Sequence, residues 1–144
     1  MLTQLIEFAS NHAFLAIAFI ALLVLTVLNE MKLATQRFSS LTPAGAVQLM
    51  NNEEDNMLVL DVREPSETAA GKISKALQIP VSGIDKRIGE LEKHRQKHVI
   101  VYCKNGTRSG IACKALNKAG FDHVYNLSGG VTAWQEAHLP LSKK

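Results

Sequence analysis

Cys103 stands where an apolar, β-branched run, Val99-Ile100-Val101-Tyr102, gives way to the polar stretch Lys104-Asn105-Gly106-Thr107-Arg108. In open α/β sheets ligands bind beyond the carboxyl ends of strands, and a cysteine there faces the N-terminus of the next helix. Gly106 permits a positive φ, so the stretch can curl with several backbone N–H groups turned inward as an anion cradle. A free thiol has a pKa of about 8.5 and is only slightly ionised near neutrality, but a helix N-terminus and nearby cations lower that value. Lys104 and Arg108 are the cations expected to do so. Arg108 is also expected to hold an anionic donor through its planar fork, where Lys104 acts only as a point charge. Attack of the Cys103 sulfur on a sulfane sulfur yields a persulfide, itself an anion, which the same N–H groups stabilise until an acceptor takes the sulfur. Cys103 is therefore the expected nucleophile, and Lys104, Asn105, Gly106, Thr107 and Arg108 are the expected binding residues.

Arg63 joins that set in one of two roles. It follows a strand in Asp61-Val62-Arg63, where it can hold the strand end near the loop or reach a donor anion. Cys113 invites a resolving role, since it lies off the main apolar stripe of its helix, but no spacing rule brings it within disulfide reach of Cys103. Trp134 reads as a core anchor. The five histidines show no ligand spacing and the two cysteines form no Cys-x-x-Cys pair, so neither a metal nor a disulfide scaffold is expected. No cofactor is expected either. A net charge of +3, with both signs interspersed, argues against a nucleic-acid partner.

Positioning such a loop requires a strand before it and a helix after it, and the chain supplies both. Val99 to Tyr102 is the most strand-like segment, and from Thr107 the residues Ile111, Ala112, Ala115, Leu116 and Ala119 recur at helical spacing, with Gly120 placed to end the helix. Thr42-Pro43 predicts an N-cap and a helix to about Asn51. Met57 to Val62 predicts a buried strand, Ala76 to Ile79 an extended piece, and Ser82 with Asp85 a capping box opening a helix through Ile84, Ile88 and Leu91. Val124 to Leu127 reads as another strand, Gly129-Gly130 as a turn, and Val131 to Ala137 as a last helix. Alternating short strands and helices predict an α/β domain with a central, largely parallel sheet flanked by helices.

Ahead of that domain, residues 8–28 are 21 consecutive positions without Asp, Glu, Lys or Arg. As a helix they extend about 32 Å, enough for a hydrocarbon core of about 30 Å. The expected partition is a transmembrane anchor and linker over residues 1–38 and one domain over 39–144, with the bilayer as partner of residues 8–28. Glu7 precedes the run, whereas Lys32 and Arg37 follow it, a bias that places the domain on the cytoplasmic side. Without Lys or Arg in the first seven residues, the basic region of a cleaved signal peptide is missing. The expected topology is a single membrane crossing with the domain on the cytoplasmic side.

Four motifs together resemble the rhodanese family: Asp61-Val62-Arg63-Glu64-Pro65 after a strand, Gly71-x-Ile73 before Ile79-Pro80, the Cys103 loop, and Gly129-Gly130-Val131-x-Ala133-Trp134. The resemblance spans residues 40–140 and implies a rhodanese-like α/β fold, a persulfide on Cys103 and an amide cradle over Lys104 to Arg108. It implies a thiosulfate-type sulfurtransferase whose donor is a small sulfur anion or a protein persulfide and whose acceptor is a thiol or cyanide-type nucleophile. Four residues separate Cys103 from Arg108, whereas loop-cysteine phosphatases characteristically place one more, which leaves phosphatase as the weaker competitor. Thr68, Lys72 and Lys75 depart from the family pattern, where an aromatic, a histidine and a glycine are usual. With the anchor, they support a second reading: a catalytically silent rhodanese-like module that binds a membrane protein.

Overall fold

The computed structural model describes residues 3, 4, 8, 11–34 and 38–143, and the chain divides into two compact units, Met1–Gln36 and Arg37–Lys144. Glu7 and Arg37, two of the charges in the orientation argument, lie outside the described residues. In the first unit helix α1 (Ala13–Ala34) carries a 19-residue stretch, Ala13–Met31, of mean hydropathy 2.3 with none of it buried. So large an exposed apolar surface does not suit water. This is the composition of a membrane anchor or a signal sequence, and among the described residues no other helix is long and apolar enough to cross a membrane.

The second unit is built on five strands, β1 (Ser39–Leu41), β2 (Met57–Asp61), β3 (Leu77–Gln78), β4 (His98–Tyr102) and β5 (Val124–Leu127), in the order β1-β5-β4-β2-β3. Each pairing in that sheet is parallel. Helices α2 (Pro43–Asn52), α3 (Pro65–Thr68), α4 (Ile84–Arg87), α5 (Thr107–Lys118) and α6 (Gly130–Glu136) connect and cover it. Parallel sheets are buried on both faces, and β4 shows how one strand serves both. Val99, Val101 and Cys103 face a core shared with Ile84, Leu91, Ala112, Cys113 and Leu116, while Ile100 and Tyr102 face the opposite core with Ala46, Val131 and Trp134.

Thr42 caps α2 as expected, its hydroxyl accepting from the Gly45 N–H at 3.2 Å with Pro43 in the first turn. Two expectations need correction. Ser39 and Ser40, which open the expected domain ahead of the Thr42 cap and for which no strand is expected, pair with Tyr125 and Asn126 as strand β1. Their ladder comes from the neighbouring strand rather than from any apolar alternation of their own. The Ser82–Asp85 capping box does not form. Residues 81–83 and 88–94 are 3-10 turns on either side of the four-residue α4, and Gly83 and Gly89 in so short a segment weaken a continuous helix. A capping box forms instead at α3, between Glu64 and Glu67.

Candidate active site

Strand β4 ends at Tyr102 and α5 begins at Thr107, so Cys103 opens the loop between them, fully buried. Gly106 takes φ +96°, which turns its N–H back to donate to the Cys103 Sγ at 3.1 Å. From the first turn of α5, the buried Ser109 places its Oγ 3.4 Å from the same sulfur. Burial pushes the Cys103 thiol up, but the Ser109 hydroxyl and the N–H groups of Ser109, Asn105 and Gly106 outweigh it, leaving the thiol below its ordinary value. Thr107 departs from the expected cradle: its N–H donates to Asn105 Oδ1 at 3.2 Å.

The loop's outward carbonyls are held from the far side by α6. Val131 N–H donates to the Cys103 carbonyl at 2.9 Å and Thr132 N–H to the Lys104 carbonyl at 3.1 Å. Gly130 lies so close that a β-carbon there would collide with those two carbonyl groups. With its C=O groups gripped outside, the loop presents N–H groups inside.

Arg108 does not turn its fork to the sulfur. Its two terminal nitrogens each donate at 2.7 Å to a carboxylate oxygen of Glu67 on α3. Hydrogen bonding from Arg108 holds the Glu67 carboxyl at about 2, and Glu67 in turn raises the Arg108 pKa. The cause assigned from sequence therefore changes: the thiol owes its lowered value to hydrogen bonds from the loop and Ser109, while the nearby guanidinium is engaged elsewhere. Lys104 is exposed.

Arg63 lies beneath this rim, buried, and its geometry gives it to the strand end rather than to a donor anion. Its Nε donates to both Asp61 oxygens at 3.0 and 3.2 Å, and its Nη2 donates to Asp61 Oδ2 at 2.7 Å and to the Gly71 carbonyl at 2.9 Å. The Tyr102 hydroxyl donates to Asp61 Oδ2 at 2.7 Å and accepts from the Ile73 N–H at 3.0 Å. Cys113, expected off the buried stripe, is fully buried, and burial pushes its thiol up to about 12. Among the described residues no group of three or more His, Cys, Asp or Glu side chains could hold a metal.

Sequence reasoning missed Glu67, Ser109 and Asn126. Asn126 lies on β5 beside the loop, its Nδ2 donating to the Gly106 carbonyl at 3.1 Å and its Oδ1 accepting from Ser109 Oγ at 2.6 Å. Its signal was a polar residue inside an otherwise strand-like Val124–Leu127. Ser109 had only its place one residue past Arg108.

Residues 42–137 match the family model of the rhodanese-like domain. The Escherichia coli K12 protein YibN is 35% identical over 139 residues, covering 96% of each chain. A protein of Allochromatium vinosum named sulfurtransferase is 40% identical over 89 residues, 62% of this chain and 81% of its own. Among solved structures, a rhodanese-related protein from Thermoplasma volcanium superposes with a TM-score of 0.65 at 30% identity, over 74% of this chain and all of the other.

Proposed function

Since this chain belongs to the rhodanese-like domain family, we propose that it is a sulfurtransferase that carries sulfane sulfur as a persulfide on Cys103. The observation that carries this reading is the buried Cys103 sulfur, met by the Gly106 N–H at 3.1 Å and the Ser109 hydroxyl at 3.4 Å. These neutral donors favour the thiolate over the thiol. With thiosulfate as donor, the Cys103 thiolate attacks the outer sulfur, a new S–S bond forms, the old one breaks, and sulfite leaves with its electron pair. A thiolate or cyanide acceptor then attacks the outer sulfur of the persulfide, and Cys103 departs as thiolate. No net oxidation occurs, and one pocket serves both halves. A protein persulfide enters the same scheme with a thiolate as leaving group. Lys104 to Arg108 would frame the donor, with Arg108 available to an anion only as it exchanges Glu67.

The name of the Allochromatium relative supports the sulfurtransferase class. The apolar helix and the Lys32 bias support a single-pass anchor in a bacterial inner membrane with the domain in the cytoplasm. Protease should then reach the domain in inverted vesicles and not in intact cells.

Mass spectrometry of the full chain after exposure to thiosulfate tests the chemistry. The wild type should gain one sulfur on Cys103, and Cys103→Ser should gain none while keeping its fold. Serine lacks the polarizable thiolate that attacks and stores the sulfur. A folded wild type that takes up no sulfur from thiosulfate or from a protein persulfide would sink the proposal and favour the silent binding module.

A further inference from the structure

We infer that Asn126 is a positioning residue for the sulfur chemistry proposed above: it competes with Cys103 for the single hydroxyl proton of Ser109. The orientation of the Asn126 amide is fixed by its own contacts, because Nδ2 donates to the Gly106 carbonyl at 3.1 Å and Oδ1 is thereby the atom facing Ser109. Ser109 Oγ lies 2.6 Å from that oxygen and 3.4 Å from the Cys103 Sγ. A hydroxyl has one proton to give. Amide oxygen is the better acceptor for a neutral thiol's neighbour, and the shorter contact places the proton there. When Cys103 is a thiol, its own S–H donates to Asn105 Oδ1 at 3.8 Å or to the Ser109 oxygen at 3.4 Å, and in either case the Ser109 proton is left to asparagine.

When Cys103 ionises, that arrangement fails at the sulfur, because the thiolate has no proton and needs one. Ser109 then turns its proton to the sulfur, and the Asn126 oxygen loses its partner. Stabilisation of the thiolate by Ser109 is therefore reduced by what Asn126 gives up. Ser109 is wholly buried, so water does not readily replace either partner. Asn126 thus sets how much of the Ser109 hydrogen bond reaches the sulfur, acting from β5 without touching it.

Other groups facing the sulfur do not belong to this switch. Arg108 from α5 is forked onto Glu67 of α3, with Glu64 nearby, and Cys113 on the buried side of α5 stays protonated far above neutrality. Lys104 adjoins the sulfur in the loop and is exposed.

The test is the pH profile of Cys103 alkylation by iodoacetamide, followed on the full chain in detergent with Cys113 as the unmodified internal reference. Asn126→Ala frees the Ser109 proton, so the profile should move to lower pH and the rate at pH 7 should rise by about fivefold, the size of one ordinary hydrogen bond. Ser109→Ala should move it the other way by a similar factor. In the Ser109→Ala background, Asn126→Ala should do nothing further, since its effect passes through that hydroxyl. If loosening of the loop were the whole effect, Asn126→Ala would shift the profile by the same amount with and without Ser109, and that result overturns the inference. So does an Asn126→Ala profile that matches wild type. Failure of the sulfur-transfer reading would show separately, as alkylation profiles that shift as described in a protein that gains no sulfur.

Discussion

The ends of β2 and β4 are neighbours in the sheet, with Asp61 opposite Tyr102 in the register, yet they are built in opposite ways. At the end of β2 a full charge meets a full charge: Asp61 and Arg63 are both buried and forked together, and Tyr102, Gly71 and Glu67 add further hydrogen bonds to the pair. At the end of β4 the donors to the sulfur are neutral, a backbone N–H and a hydroxyl, and the one arginine of the loop is turned away to Glu67. Each task takes its own kind of group. A buried ion pair loses heavily if either partner leaves, which suits a fixture. Neutral donors tolerate a sulfur that changes its charge state, as the proposed cycle of thiol, thiolate and persulfide requires.

The β2 fixture should prove indispensable to stability. Arg63→Ala leaves the Asp61 carboxylate buried without its main partner and should cost about 3–5 kcal/mol of stability, measured by urea unfolding. Tyr102→Phe removes one neutral hydroxyl from the same network and orphans the Ile73 N–H, so its cost should be smaller, about 1–3 kcal/mol. If Tyr102→Phe cost as much as Arg63→Ala, the charges would not be the source of the rigidity.

A smaller effect is expected beside the end of β4. The Glu67 carboxyl is held at about 2 against an ordinary 4.5, so its folded value is the lower one. Its contribution to stability is then present above pH 4.5 and fades as pH falls towards 2. Glu67→Gln should flatten the acid limb of stability over that window and, because it frees Arg108, lower the KM for thiosulfate by a few-fold. An unchanged acid limb would mean that the Glu67–Arg108 pair is merely a surface contact of little consequence.

Much of this was legible because it depends on local pattern. The β-branched run before Cys103, the positive-φ glycine after it, and the helical spacing from Thr107 are properties of neighbouring residues, and each element appears where that spacing put it. What escaped depends on residues brought together across the sheet. Glu67 lies 41 residues before its partner Arg108, and Asn126 lies 17 after Ser109. Without knowledge that α3 and β5 flank the loop, Arg108 looked like a free cation and Asn126 like an ordinary strand residue. Ser39 and Ser40 escaped for the same reason, since an edge strand of polar residues is defined by the backbone it joins. Lys75 shows a subtler cost: it occupies a position where the family favours glycine, and its φ of +59° is the left-handed conformation that explains the preference.

The grip of α6 on the loop bears on whether such a site can be transplanted. The stretch from Cys103 to Arg108 looks like a portable cassette, short, contiguous and flanked by a common strand and helix. It is half of a device. Two of its carbonyls are docked on the amides of Val131 and Thr132, and Gly130 is the only kind of residue that lets those backbones meet. Grafted onto another sheet without the Gly129-Gly130 turn and the helix behind it, the hexapeptide would carry the cysteine and lose the mould that shapes its loop.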